Sequence, residues 1–326
     1  MHGHCFKKTE NDSERIVFRM NFTAKDVQSL RERTGCGMMD CKKALTEANG
    51  DMDKAIELLR EKGLATAAKK ESRIAAEGIV DIMTVGNVTA MVEVNSETDF
   101  VAKNDTFKEF VKGLLRTIIA NKPADLEALL NTKFDGTETL VKDSLVEKIA
   151  MIGEKLDIRR FVIVEGTTST YIHGLGSIGV IVSFDADDAA VNHPGFAEFA
   201  KNIALQVGAY PVAYLNKESV PASVIEEEKA ILMAQIANDP VNSKKPAQII
   251  EKMVLGRIGK FYDNNCLLEQ AYVKEDSIKV CKYVEQSAKE FGGNITVTGY
   301  CRFEKGEGIQ KKEENFAEDI AKLTNK

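Results

Sequence analysis

The chain lacks most of what covalent catalysis requires. Its 326 residues contain four histidines, and two of these, His2 and His4, sit at its start, so a histidine dyad has few places to form. No G-x-x-x-x-G-K-S/T, G-x-S-x-G, H-E-x-x-H or G-x-G-x-x-G occurs; Gly256-Arg257-Ile258-Gly259-Lys260 lacks the phosphate-loop spacing and falls inside a helical pattern. The six cysteines, Cys5, Cys36, Cys41, Cys266, Cys281 and Cys301, form no C-x-x-C pair and have no histidine cluster beside them. They read as reduced thiols of a cytoplasmic protein, and neither a metal nor another cofactor is expected. No apolar run reaches the roughly eighteen residues of a membrane span. The net charge of -6 offers no basic surplus for phosphates, so no direct nucleic-acid partner is expected. The first residues lack the apolar core of a secretory signal, and Met20 is a candidate start. His2, His4 and Cys5 could chelate a metal but read more simply as part of an upstream extension.

A hydrophobic fraction of 44% is that of folded domains, and the length suggests about two to four modules. Thr23 followed by Asp26 has the form of a helix N-cap with an acidic partner, and Val27 and Leu30 continue the turn to Gly35. A second helix over 38–49 stops at Gly50; Asp51 caps a third whose Ala55, Ile56, Leu58 and Leu59 face inward as far as Gly63. Met38 and Met39 point about 100° apart, and so small a core cannot hold both centrally. At least one is expected at the surface, where methionine suits adaptable protein contacts; packing of both at a helix edge is the plain alternative.

An Ala- and Lys-rich linker helix over 65–76 leads to a hairpin, 79–85 and 88–94 around Gly86-Asn87. Phe107, Phe110, Val111, Leu114, Leu115, Ile118 and Ile119 then mark a helix packed on one face. A shorter helix from Pro123, an amphipathic helix over 140–155 and strands at 158–165, 169–173 and 178–184 follow. Between 220 and 261, Pro221, the break at Asp239-Pro240 and the apolar positions Val224, Ile231, Leu232, Ile236, Ile249, Ile250, Met253 and Val254 suggest two helices folded back on each other and projecting from the core. A helix over 277–291, a strand over 295–303 and a terminal helix over 313–323 complete the chain.

The stretch Val94-Asn95-Ser96-Glu97-Thr98-Asp99-Phe100-Val101-Ala102-Lys103-Asn104 connects a strand to a helix, and connections are where function concentrates. Phe100 fits neither pattern: it either plugs the end of its own core or is presented as an apolar wedge. The chain slid against itself until Phe107 meets Phe196 gives a faint repeat of strand, loop and helix, with Asp188 on Asp99 but Ala189 on Phe100. The missing second aromatic favours a task peculiar to the first copy. Glu97 and Asp99 could form an acid–base pair, though a solvated loop is the commoner setting. His173, at a strand end in Tyr171-Ile172-His173-Gly174, is either a hydrogen-bonded loop residue or a contact.

Arg31-Glu32-Arg33-Thr34-Gly35-Cys36-Gly37-Met38-Met39-Asp40-Cys41-Lys42-Lys43-Ala44-Leu45 and Thr98-Asp99-Phe100-Val101-Ala102-Lys103 resemble the two signature regions of the elongation factor Ts family. The likeness continues through Ile158-Arg159-Arg160, Tyr171-Ile172-His173-Gly174, Glu251-Lys252-Met253-Val254-Leu255-Gly256-Arg257 and Arg302-Phe303-Glu304-Lys305-Gly306-Glu307-Gly308-Ile309, in family order. The chain departs from the pattern before Met20, near Pro240 to Pro246 and between Asp263 and Val273. The resemblance implies an α+β fold: an extension over 1–20, a ubiquitin-associated-like three-helix domain over 21–63, a linker helix over 64–76, and a core in two halves, 77–156 and 157–215 with 263–303. A helical hairpin over 216–262 and a C-terminal module over 304–326 complete it. It implies no enzyme but a nucleotide exchange factor for the GTPase elongation factor Tu. Asp99 and Phe100 would then intrude at the partner's magnesium site, within the wider motif Thr98, Val101, Ala102, Lys103 and Asn104. His173 would touch the phosphate loop, and Arg31, Met38, Met39, Lys42 and Lys70 would dock. In some members the hairpin self-associates, as a homodimer or within a heterotetramer.

Overall fold

The computed structural model describes residues 21–310. The expected extension with His2, His4, Cys5 and Met20, and the terminal helix over 313–323, lie outside the described residues. Three helices come first, α1 (Ala24–Thr34), α2 (Met38–Glu47) and α3 (Met52–Lys70). Thr23 and Asp26 close a reciprocal capping box, Gly35 ends α1 at φ 65°, and Asp51 accepts the N–H groups of Asp53 and Lys54 at the start of α3. Val27, Leu30, Cys41, Ala44, Leu45, Ala55 and Leu59 form their shared core. Gly63 does not stop the third helix. It is buried within α3 because another helix crosses there: a Cβ at 63 would lie 3.4 Å from Val146 Cγ1 and 3.5 Å from Ala150 Cβ. The separate linker helix expected to Ala76 is therefore the end of α3, which stops at Lys70.

Strands β1 (Glu77–Val85) and β2 (Val88–Ser96) pair antiparallel across Gly86-Asn87. Helices α4 (Asp99–Lys103), α5 (Asp105–Asn121), α6 (Leu126–Leu130) and α7 (Val141–Ile152) lead to β3 (Leu156–Glu165). The division expected at 157 is corrected here. Strand β3 runs along β2 from Val88↔Glu165 to Ser96↔Leu156 and completes the first sheet, β1-β2-β3, because the polar groups on the second edge of buried β2 need a partner. The second half begins with β4 (Thr167–His173), β5 (Ile178–Ala186), the short α8 (Asp188–Val191) and α9 (Phe196–Ala209).

Helices α10 (Ala222–Ala237) and α11 (Ala247–Asn265) then form the hairpin, with Leu232 and Ile236 packed on Val254 and Ile258. A small sheet that the sequence pattern did not suggest, β6 (Ala271–Tyr272) with β7 (Glu275–Lys279), takes the first positions of the helix expected from 277; α12 starts at Val280 and ends at Phe291. Strand β8 (Ile295–Glu304) pairs with β5 and completes the second sheet, β4-β5-β8. Among the described residues no helix is long and apolar enough to cross a membrane.

The fold is α+β, with the two sheets back to back between helices. Ala90, Val92 and Val94 of β2 share a core with Phe107, Phe110, Val111, Leu114 and Ile118 of α5. Val180, Val182 and Phe184 of β5 do the same with α9 and α12. Between the sheets, Val80 and Met91 meet Ile181. Gly179 permits that approach, since a Cβ there would lie 2.5 Å from Val80 Cγ1. At one end of this interface Glu93, fully buried, accepts from Arg159 (3.0 Å), Arg160 Nε (2.6 Å), Asn95 Nδ2 (3.2 Å) and the Gly306 N–H (2.7 Å). A charge so enclosed is tolerated only with its lone pairs occupied.

Candidate functional site

The segment after β2 is bonded on several sides and leaves one side chain out. Ser96 Oγ donates to Thr98 O (2.9 Å), and the Thr98 N–H and hydroxyl donate to Glu154 (3.0 and 2.7 Å). Glu97 accepts from the Lys155 N–H (2.6 Å) and from Arg73 (3.2 Å). Val101 and Ala102 are buried in the first core, and Asn104 caps α5 by accepting the Thr106 N–H at 2.8 Å. What the sequence suggests is an open connection is thus a single helical turn, α4, tied to the core by its far side. Phe100 is 78% exposed. It plugs no core. Its counterpart in the second copy, Ala189, is exposed at the same place in α8, next to buried Ala190 as Phe100 is next to buried Val101. The position faces solvent in both copies, and only the first places an aromatic there.

Lys103 Nζ lies 2.6 Å from Asp99 Oδ2 and 5.8 Å from the centre of the Phe100 ring. The hydrogen bond from this ammonium, aided by charge from Lys103 and Lys305, holds the Asp99 carboxyl below the usual carboxylate range. Asp99 is therefore ionised at neutral pH, and Glu97 is engaged by Arg73 and Lys155, so the two make a poor acid–base pair. Among the described residues no group of three or more His, Cys, Asp or Glu is placed to hold a metal ion.

His173 ends β4 exposed, with the Tyr171 hydroxyl 2.8 Å from its Nδ1. The chain then turns through Gly174, Leu175 and Gly176 at φ 57°, 57° and 94°. A left-handed leucine costs about 1–2 kcal/mol, and Leu175 is also 91% exposed. The turn is anchored to the first sheet: the Val80 N–H donates to Gly176 O at 2.8 Å, and a Cβ at 176 would lie 3.0 Å from Ile79 Cβ and Val80 O. Lys305 connects this turn with the Asp99 turn. Its N–H donates to Ser177 O (2.9 Å), its Nζ to Glu77 Oε2 (2.5 Å), and its charge acts on Asp99. The Asp99-Phe100 and His173 turns therefore border the same end of β1.

Arg31, Met38, Met39 and Lys42 lie elsewhere, on α1 and α2 of the three-helix module. Both methionines are exposed, at 45% and 62%, because α2 turns Cys41, Ala44 and Leu45 inward. Lys70 is engaged within the chain, its ammonium donating to Gly153 O. Leu175 and Glu154 stand outside every sequence motif, and Lys305 occurs only within the Arg302-to-Ile309 likeness, with no role of its own. Leu175 carried a signal, an apolar residue between two glycines; Glu154 and Lys305 are ordinary polar residues whose partners are distant along the chain.

The chain matches the family model for elongation factor Ts over residues 97–307, a span that opens at the Glu97-Thr98-Asp99-Phe100 turn. It is 44% identical over 311 residues to an elongation factor Ts of Syntrophotalea carbinolica, which covers 94% of this chain and 100% of that relative. Similarity to proteins of the same name from Clostridium botulinum and Clostridium perfringens is 47% identity over 309 and 310 residues, each covering 93% of this chain and 99% of the relative.

Proposed function

The chain belongs to the elongation factor Ts family of translation factors, and we propose that it binds elongation factor Tu carrying GDP and speeds GDP release, after which GTP rebinds. The observation that carries this reading is Phe100, held in water on a turn whose neighbours are core. Keeping a phenylalanine exposed forgoes about 1.5–3 kcal/mol of burial, which contact with a partner recovers. In this reading Asp99 and Phe100 enter at the partner's magnesium site, His173 meets its phosphate loop, and Leu175 adds an apolar contact beside His173. Arg31, Met38, Met39, Lys42 and Lys70 serve docking, and the hairpin serves self-association as a homodimer or within a heterotetramer. The setting is cytoplasmic, with no resident cofactor.

No bond is made or broken in this mechanism. Magnesium and backbone amides hold GDP in a GTPase by neutralising phosphate charge. A factor that prefers the distorted, metal-free GTPase weakens GDP by the same coupling energy with which GDP weakens the factor. An acceleration of ~10⁴ takes about 5.5 kcal/mol off the dissociation barrier. The roughly 1.5–3 kcal/mol available from one aromatic falls short, so contacts from both turns and from the N-terminal module act together.

The exposed pair Met38 and Met39 favours a second reading, an interaction scaffold without exchange activity. Labelled-GDP release from the matching elongation factor Tu, with and without this chain, separates the two. The exchange reading expects strong stimulation, reduced at least about tenfold by Phe100→Ala with the thermal melt preserved. Binding with unstimulated release would leave the scaffold.

A further inference from the structure

We infer that Glu154 is a positioning residue for the turn that carries Asp99 and Phe100, and that residues 153–155 transmit the seating of the N-terminal linker to that turn. The inference rests on the exchange reading above. Helix α4 has five residues, whereas isolated helices below about 12–15 residues are marginal in water, so its direction has to come from tertiary bonds. Its N-cap, Thr98, makes no side-chain bond to its own helix. Instead the Thr98 N–H reaches Glu154 Oε2 (3.0 Å) and the Thr98 hydroxyl reaches Glu154 Oε1 (2.7 Å). Two charge-assisted bonds to one planar carboxylate fix orientation as well as position. Ser96, Glu97 and buried Val101 and Ala102 hold the turn on its other sides, so the paired Glu154 bonds set its tilt at the Thr98 end, two residues from Phe100.

The segment that supplies Glu154 is also where the linker is fastened. Glu97 accepts the Lys155 N–H at 2.6 Å and pairs with Arg73 of the linker at 3.2 Å. Lys155 Nζ donates to the carbonyls of Glu71 (2.7 Å) and Arg73 (2.9 Å), and Lys70 donates to Gly153 O. The segment follows α7, on which α3 packs through Gly63 and through the Arg60–Asp143 pair at 2.6 Å. A displacement of the three-helix module against α7 therefore acts on the same residues that aim Phe100.

The test uses the full chain with Glu154→Ala, Glu154→Gln and Arg73→Ala, and with Phe100→Ala as reference. Glutamine can keep the clamp by accepting the Thr98 N–H and donating to the Thr98 hydroxyl oxygen. Amide hydrogen exchange over 97–103, measured without any GTPase, is expected to rise about tenfold in Glu154→Ala, to rise in Arg73→Ala and to stay near wild type in Glu154→Gln. Saturating GDP release from elongation factor Tu is expected to fall about tenfold in Glu154→Ala, with the half-saturating concentration within about twofold of wild type, and to recover in Glu154→Gln. Unchanged amide exchange in Glu154→Ala overturns the clamp whatever the partner does, and unchanged amide exchange in Arg73→Ala overturns the link to the linker. Loosened amides with normal saturating release, or equal losses in Ala and Gln, overturn the positioning role. If Glu154→Ala does not fold, Thr98→Val removes only the hydroxyl bond and is expected to move both readouts in the same directions by less. Failure of the wild-type chain and Phe100→Ala to differ in GDP release would count against the exchange reading, while the amide measurement still reports on the clamp.

Discussion

Asp81 lies in β1 opposite Val92, where burial pushes its carboxyl above the usual range against the opposing pull of the Ile82 N–H bond and the charge of Lys112. The folded chain therefore holds this proton more tightly than the unfolded chain does. Ionisation costs stability, a cost absent below the ordinary carboxylate value of 3.8 and complete above the raised one. Asp81→Asn is expected to raise the melting temperature at pH 7 and to change it little near about pH 3, as calorimetry at the two pH values can check. Met38 and Met39 belong to the same scale. Replacing both by glutamine is expected to weaken complex formation with elongation factor Tu about tenfold or more in titrations while the saturating release rate stays near wild type. A loss of rate at unchanged affinity would contradict the division between docking and exchange. Phe100 could be picked out from the chain alone because it breaks a helical period and has no counterpart at Ala189. Glu154 could not, since nothing near it in sequence hints at Thr98.

Helix α3 carries the clearest lesson about elements. Its caps are local, so Asp51 could be read directly, but Gly63 has the same letter whether it ends a helix or lets a neighbour approach. The periods of α5 and the pairing of β1 with β2 were legible for the same reason as the caps: their determinants lie a few residues apart. The partner of β3 is β2, from which four helices separate it along the chain, and β6 with β7 is too short and polar to alternate, so neither could be read. Gly63→Leu is expected to crowd Val146 and Ala150 at about 1–3 kcal/mol. The three-helix module should then lift from α7, with faster proteolysis over 71–76 and an unchanged core transition. Gly63→Ala gains roughly 0.8–1 kcal/mol of helix propensity against one tight contact and is expected to be near neutral.

At the scale of the whole molecule, the hairpin buries only Leu232, Ile236, Val254 and Ile258 and leaves Ile231, Met233, Ile249 and Leu255 exposed. So much apolar surface left exposed on a two-helix hairpin is suited to another chain. Replacing residues 222–265 by a Gly/Ser link is expected to lower the assembly mass in sedimentation while retaining at least part of the stimulated GDP release; complete loss from a folded remainder would place the hairpin in the mechanism. The bond between Glu93 and Gly306 spans 213 residues of chain. During synthesis β2 therefore emerges long before β8 and the turn that follows it. Until then Glu93 lacks one of its donors, and the second sheet lacks its third strand, so the carboxylate is best left in water and the sheets apart. Closure over so long a loop is slow as well as late. A chain truncated after Asn294 is expected to be cut by protease far faster than the full chain, because a nascent molecule stays open at the Glu93 end until translation has delivered Gly306.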